Sequence, residues 1–324
     1  MQISNRRGFL SSVVIAALFA VASGCTSAEK QDAPFTVVLL PDTQNYSEKY
    51  PDTYLTQTRW IKSRVGPDNV KFVIHLGDIV QNAHVRKEWQ VADRAHAVLD
   101  GVVPYSVVPG NHDMDAKNGR LTRGTSLYDE YFPPSRFQKH SWYGGHMDKS
   151  NASNYCLFEA SGIKFMVLSL AFAPNDEMLT WASGVINAHK DRRVILATHY
   201  YMCPEGRGKR PRPYGLDGCD GEDLWKKFVR KHNAIFMVVS GHVLGVNHLT
   251  SINQAGRKVH EILCDYQGLP NGGDGWLLTL RFVPAENKIH ADAYSPLLDK
   301  HNPDPMHTYT LDYDMNPAGL KKAG

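Results

Sequence analysis

An amide, an imidazole and a carboxylate stand in a row at Asn111-His112-Asp113, directly after Pro109-Gly110. The apolar run Val102 to Val108 reads as a buried strand leading into that turn. Pro-Gly continues neither a strand nor a helix, so the polar side chains are delivered at the strand's carboxyl end, where α/β proteins build sites. The same arrangement recurs along the chain. Asp42 and Gln44 follow the run Phe35 to Leu40, and Asp78 follows Val70 to Leu76. His199 follows Val194 to Ala197, and His242 follows Ala234 to Val239. Carboxylates, imidazoles and an amide oxygen are the donors that a pair of borderline-hard divalent ions requires. One carboxylate can bridge two such ions about 3.5–4 Å apart, and Asp78 is the candidate for that place. Each residue taken singly is explained as well by a turn, since Asn and Asp favour turns. The ordered set, each member at a strand end, is what points to chemistry.

The elements that must position these groups alternate in kind. Helical periodicity over Tyr54 to Val65 and over Trp89 to Leu99 separates the first three strands. That is a βαβαβ unit with a parallel sheet, which places the carboxyl ends of its strands on one edge. Asp42, Asp78 and Asn111 therefore converge. From Asp115 to Asn151 the sequence is irregular, with a short helix near Leu127 to Tyr131; long excursions of this kind are functional or disordered. Tyr155 to Glu159 and Lys164 to Leu170 read as a hairpin across Ser161-Gly162. A helix over Asn175 to Ala188, with Asn175 as its N-cap, precedes the strand ending at Thr198-His199. A helix over Glu222 to Lys231 precedes the strand ending at Ser240-Gly241-His242. Val259 to Cys264, Trp276 to Phe282 and Lys288 to Ala293 alternate as antiparallel strands do.

The chain's 324 residues and 42% hydrophobic content allow a sizeable core. A formal charge of +3 gives no help to binding a polyanion, so nucleic acid is not favoured as a partner. The amino-terminal residues read as an address. Arg6-Arg7-Gly8-Phe9-Leu10 precedes an apolar stretch, Val13 to Val21, too short to span a bilayer. The paired arginines resemble a twin-arginine export signal, and Ala22-Ser23-Gly24-Cys25 resembles a lipobox. On this reading residues 1–24 are an export signal, 25–34 a tether and 35–324 the folded domain. The protein is then expected to be an exported, membrane-anchored lipoprotein facing the periplasm or cell surface, touching the membrane through its lipid only. Cys25 aside, Cys156, Cys203, Cys219 and Cys264 remain, an even number in an exported chain. Cys203 and Cys219 could staple the loop between them; four reduced, buried thiols is the alternative.

The motifs Asp42-Thr43-Gln44, Gly77-Asp78, Gly110-Asn111-His112-Asp113, Thr198-His199 and Gly241-His242, in this order, resemble the calcineurin-like metallophosphoesterase family. The resemblance implies an α/β fold of two mixed β-sheets packed as a sandwich with helices on the outer faces. It implies two divalent ions (Mn, Fe or Zn) and a water activated by them to attack a small phosphorylated substrate. Carried over by position, Asp78 bridges the ions, while Asn111, His199 and His242 complete one shell. Asp42 and Gln44 hold the other ion. His112 faces the scissile phosphate as the catalytic group, and Asp113 orients it. Two positions depart from the family pattern: Gln44 stands where a histidine is usual, and so does Leu244. Both missing imidazoles serve the same ion, so that site is expected to be weaker or to prefer a harder ion.

Other residues have candidate roles. Arg207, Lys209, Arg210 and Arg212 lie on the loop after His199 and could bind an anionic substrate. Trp142, Tyr143 and His146 could form a substrate wall, and Asn82 and His84 could reach the site. His75 reads as a satisfied core histidine, His248 as a loop histidine, and Tyr200-Tyr201 as packing beneath the site. The favoured function is hydrolysis of a phosphomonoester or phosphodiester. The alternative is an extracytoplasmic binding module for a phosphorylated ligand or partner protein, with one metal shell eroded.

Overall fold

The computed structural model describes residues 1–2, 32–209 and 213–316. The leader motifs and Cys25 lie outside them, as do Arg210 and Arg212.

Two seven-stranded mixed sheets form the centre of the molecule. In the first, Phe35–Leu40 runs parallel to Val70–His75, which runs parallel to Tyr105–Ser106. On its other side Phe35–Leu40 pairs antiparallel with Leu277–Val283, which pairs with Lys288–Ser295. In the second sheet Ile163–Leu170, Arg193–Thr198, Ile235–Ser240 and Lys258–Asp265 are parallel neighbours. Antiparallel strands flank them: Asn154–Ala160 and Tyr143–His146 on one side, Gly245–Ile252 on the other.

The apolar runs are continuous because both faces of these strands are covered. Phe35, Val37 and Leu39 join Phe72 and Ile74 in a core between the sheets, facing Phe165, Val167, Ile195 and Val239. Val38, Leu40 and Val73 point the other way, into a core shared with Pro51–Arg64 and Arg86–Ala97. Met166, Leu168, Leu196 and Val238 make a third core with the helices Asp176–Ala188 and Gly221–Lys227. The order of layers is helix, sheet, sheet, helix, the sandwich expected from the sequence.

Several local expectations hold and others are corrected. Asn175 caps its helix, its Oδ1 accepting the Met178 amide at 3.0 Å. The run Val102 to Val108 is a strand only at Tyr105–Ser106. Pro104 removes a donor there and the segment lies at the sheet edge, where prolines are tolerated. The helix expected to reach Lys231 ends at Lys227, and a 3₁₀ turn, Val229–Lys231, follows. The excursion after Asp113 is ordered: it contains a small hairpin, Ala116–Lys117 with Arg120–Leu121, and the helices Ser126–Tyr131 and Pro134–Phe137. The Cys203–Cys219 staple is not formed. All four described cysteines are thiols, with Cys156 and Cys264 buried between the sheets and Cys203 donating to the Gly206 carbonyl at 3.4 Å.

Candidate metal centre

The strand ends of both sheets meet at one edge, and the groups singled out by spacing meet there. Asp42, Gln44, Asp78, Asn111 and His199 are all buried, and His242 is half-buried. The His199 imidazole donates from Nδ1 to the Leu76 carbonyl at 2.8 Å, which leaves Nε2 as the free donor atom. That atom lies 3.2 Å from Asp78 Oδ1 and 3.2 Å from His242 Nδ1. The ligand atoms of Asp78, His199 and His242 all fall within 4.8 Å of one another. Asp78 also accepts the His112 amide at 2.9 Å and the Gln44 Nε2 at 3.1 Å. Asp42 Oδ1 accepts the His242 amide at 2.9 Å.

The motif glycines are present because nothing larger fits. A Cβ at Gly110 would lie 2.1 Å from Asp78 Oδ1 and 2.7 Å from His199 Nε2. One at Gly241 would lie 2.0 Å from Asp42 Oδ2. Asp78 and His242 themselves adopt φ of 48° and 74°, a conformation that costs of order 1 kcal/mol or more and that persists where a site demands it.

The electrostatics describe a centre short of positive charge. Burial raises the Asp42 carboxyl well above the usual range, and the neighbouring Asp265 raises it further. Burial would raise Asp78 too, but the His199 imidazole beside it holds it well below. Burial opposes charge on His199, yet Asp78 and Asp42 bring it to about 10. Three buried oxygens, Asp42 Oδ2, Gln44 Oε1 and Asn111 Oδ1, have no hydrogen-bond partner among the described residues. An unpartnered buried oxygen costs about 1–3 kcal/mol. Unpartnered oxygens on one carboxylate and two amides, beside a second carboxylate and two imidazoles, are a donor set that a divalent cation satisfies, so the residues present fit such an ion.

The loops are tied together from behind. His75 Nδ1 accepts the Gly77 amide at 3.1 Å and its Nε2 lies 2.9 Å from Thr43 Oγ1. The satisfied core histidine thus joins the loop carrying Asp42 to the loop carrying Asp78. Tyr200 packs against His242, ring centroids 5.0 Å apart.

Asp113 departs from its expected role. Its carboxylate accepts the amides of Gly110 at 2.8 Å, Ile79 at 3.0 Å and Val80 at 3.0 Å. It therefore braces two loops of the centre rather than orienting His112. The group that orients His112 is the Gln81 carbonyl, 2.8 Å from its Nδ1. Burial, then Asp78, raises the Asp113 carboxyl to about 7.

The basic loop is corrected as well. The Arg207 guanidinium pairs with Glu261, Nη2 to Oε1 2.8 Å, and lies 3.9 Å above the Trp225 ring. Tyr201 donates to the same Glu261 at 2.6 Å. Arg207 is committed to a buried pair and is not available to a substrate. Lys209 is exposed. Trp142 is a packing residue: it stacks on His140 at 5.0 Å and meets Phe72 and Phe137. Tyr143 donates to Asn151 at 2.8 Å, and His146 lies 6.0 Å from the Tyr143 ring. Asn82 is held by Glu88. His248 sits on Gly245–Ile252 with its ring 3.8 Å from that of Tyr309.

A cleft of about 310 Å³ opens at the centre, lined by Gln44, Asp78, Asn111, His112 and His242. Asn45, Gln81, Tyr214, Leu244, Gln267 and Gly268 complete it and were not singled out by spacing as cleft residues. A neighbouring hollow shares Gln81, Asn111, His112 and Tyr214 with it and reaches His84 and Asp115. Asp265 was also missed. It is buried at the end of Lys258–Asp265, with Oδ1 accepting the Gln267 amide at 2.9 Å and Oδ2 its Nε2 at 3.0 Å. The signal was available, since Asp265 follows an apolar strand run as Asp42 and Asp78 do.

Comparison with known proteins agrees with this geometry. The family model for calcineurin-like phosphoesterases matches residues 35–246. The chain is 34% identical over 331 residues to the uncharacterized protein YvnB of Bacillus subtilis (strain 168), covering 97% of this chain and 24% of that one. It thus spans about a quarter of the length of that curated relative. Among solved structures, purple acid phosphatase PPD1 from yellow lupin (Lupinus luteus) seeds superposes with a TM-score of 0.56 at 12% identity, over 90% of this chain and 56% of that one. That likeness is one of fold. With the motif set, the strand-edge geometry and the matched model in agreement, the chain belongs to the calcineurin-like phosphoesterase family.

Proposed function

We propose that this protein hydrolyses phosphoesters with the help of two divalent ions, one held more tightly than the other. The observation that carries the reading is the convergence of Asp78, His199 and His242 beside three buried oxygens without partners. Asn111, His199, His242 and Asp78 would hold the tighter ion; Asp42, Gln44 and Asp78 the weaker. Bound there, Mn, Fe or Zn supplies an acidified water and neutralises phosphoryl charge.

The chain's own residues do the rest. Asn111 binds a phosphoryl oxygen. His112, with Nδ1 anchored on Gln81, presents Nε2 to the cleft and protonates the leaving oxygen or stabilises the charge beside it. Asp113 fixes the loop that carries both. Tyr214 and Gln267 close the cleft walls around the ester.

The Arg6-Arg7 pair and Ala22-Ser23-Gly24-Cys25 support export and lipidation at Cys25, which would anchor the enzyme outside the cytoplasm. Among the described residues no helix is long and apolar enough to cross a membrane. The partner we assign is a small phosphorylated substrate rather than nucleic acid. If Cys25→Ala leaves the protein in the membrane fraction, the anchor reading is wrong.

A second reading, a binding module for a phosphorylated ligand or partner protein, draws on Gln44 and Leu244, which replace two imidazoles. Hydrolysis of aryl phosphate mono- and diesters, assayed with Mn²⁺, Zn²⁺ or chelator, separates the two. Turnover that needs the ion and vanishes in Asp78→Asn supports catalysis. Absence of turnover with every ion, with ligand binding intact, supports the module.

A further inference from the structure

The cleft does not end at its polar wall. Leu244 and Gly268 line it on one side and line a second hollow of about 400 Å³ on the other. Leu244, Val246, Tyr266 and Leu269 line that hollow together with the polar Asp265, Asn302 and His307. Leu244 and Leu269 are 57% and 43% exposed, so two aliphatic side chains stand open to solvent beside a polar centre. Leu244 lies flat on the backbone of its neighbour: a Cβ at Gly268 would come within 3.0 Å of both its methyl groups. Its side chain is shared by the linings of the two cavities. Gly245, at φ 119°, turns the chain so that Val246 enters the same hollow.

We infer that this hollow is a subsite for an apolar ester group, so that the preferred substrate is a phosphoester of a lipophilic alcohol. The inference rests on the reading of the cleft as a phosphoester site. The occupant follows from continuity. A phosphoryl group seated among Asn111, His112 and His242 has the polar hollow toward His84 and Asp115 on one side and, across Leu244, a surface where Leu244, Val246 and Leu269 stand together. A small polar alcohol would leave Leu244, Val246 and Leu269 wet. An alkyl or aryl group would cover them, and apolar burial is worth about 25 cal/mol per Å². The position that forfeits an imidazole at the weaker ion thus supplies the first contact of the new surface.

Binding of methylphosphonate and octylphosphonate, non-hydrolysable probes, to the full chain in Mn²⁺ tests this by calorimetry. Octylphosphonate is expected to bind at least about tenfold more tightly, the value of burying roughly two methylenes. Leu244→Ser and Leu269→Ser each lower that ratio; both side chains are exposed, so neither change threatens folding. A ratio near one, or a ratio that neither substitution lowers, overturns the subsite. Turnover of aryl phosphates, measured in parallel, keeps the two readings apart. Hydrolysis without chain-length dependence sinks the subsite alone. Chain-length-dependent binding without hydrolysis sinks catalysis alone.

Discussion

The two halves of the centre are built on the same edge from the same kind of strand end, yet they differ in donor chemistry. One half brings Asn111, His199 and His242 to Asp78, with His199 fixed by Leu76 and packed beneath Phe172. The other brings Asp42 and Gln44, and where a second imidazole would stand the chain has Leu244, 57% exposed. The backbone geometry is intact in both. Asp42 still takes the His242 amide, and Gly241 still makes room for Asp42. The comparison teaches that the fold positions strand ends whatever residues occupy them, while ion affinity follows from the side chains. Asp265, buried beside Asp42, adds negative charge to the poorer half without adding an imidazole.

On the proposed two-ion reading, Asp78 gives the sharpest break. Asp78→Asn removes the carboxylate assigned to both ions, and hydrolysis is expected to fall on the order of 10³-fold, as when one preorganised electrostatic group is lost. Steady-state assays in saturating Mn²⁺ check this. A fall below tenfold would mean that Asp78 is not shared. Restoring the missing imidazole should act on one half alone. Leu244→His is expected to tighten the weaker ion roughly tenfold to a hundredfold, the range that supporting groups around a metal command. Calorimetric titration would show it as a shift in the second binding event with the first unmoved.

Arg207 sharpens the comparison from outside. Arg207→Ala leaves the buried Glu261 without its cation and with only the Tyr201 hydroxyl donating to it, and stability should drop by about 3 kcal/mol, the low end for a broken buried pair because the guanidinium keeps some solvent contact. Urea denaturation measures it. KM for an aryl phosphate should not change, whereas a substrate-binding Arg207 would raise KM. The smallest effect is expected at His248. His248→Ala should leave both metal affinities unchanged, since the ring packs on Tyr309 along the strand. A loss of the weaker ion in that variant would place His248 in the shell.

Much of the sandwich was legible because its central strands are buried on both faces. Phe35–Leu40, Val70–His75 and Ile235–Ser240 are mostly apolar and almost wholly buried, and each is followed within three residues by one that reaches the centre: Asp42, Asp78 and His242. Convergence of those ends follows from parallel strand order, which is why Asp42, Asp78, Asn111, His199 and His242 were found together. What spacing does not carry is the direction of a side chain that leaves a loop. Arg207 lies close in sequence to His199, but Glu261 and Trp225, brought by other elements, turn it away from the cleft. Asp113 is adjacent to His112 and yet braces Gly110, because a 3₁₀ turn sends the two side chains apart. Trp142 directly precedes the strand Tyr143–His146, which joins the second sheet only through the fold of the excursion before it, and no local pattern announces that pairing. Asp265 was legible by the rule that found Asp42.

Ion-dependent phosphoester hydrolysis at two unequal sites can be read from aryl phosphate turnover as Mn²⁺ is titrated into metal-stripped protein. No turnover is expected without the ion, and the rate should continue to climb after the tighter site is filled and level off only when the weaker one fills. Turnover in the presence of chelator, or none at any Mn²⁺ concentration, would contradict it.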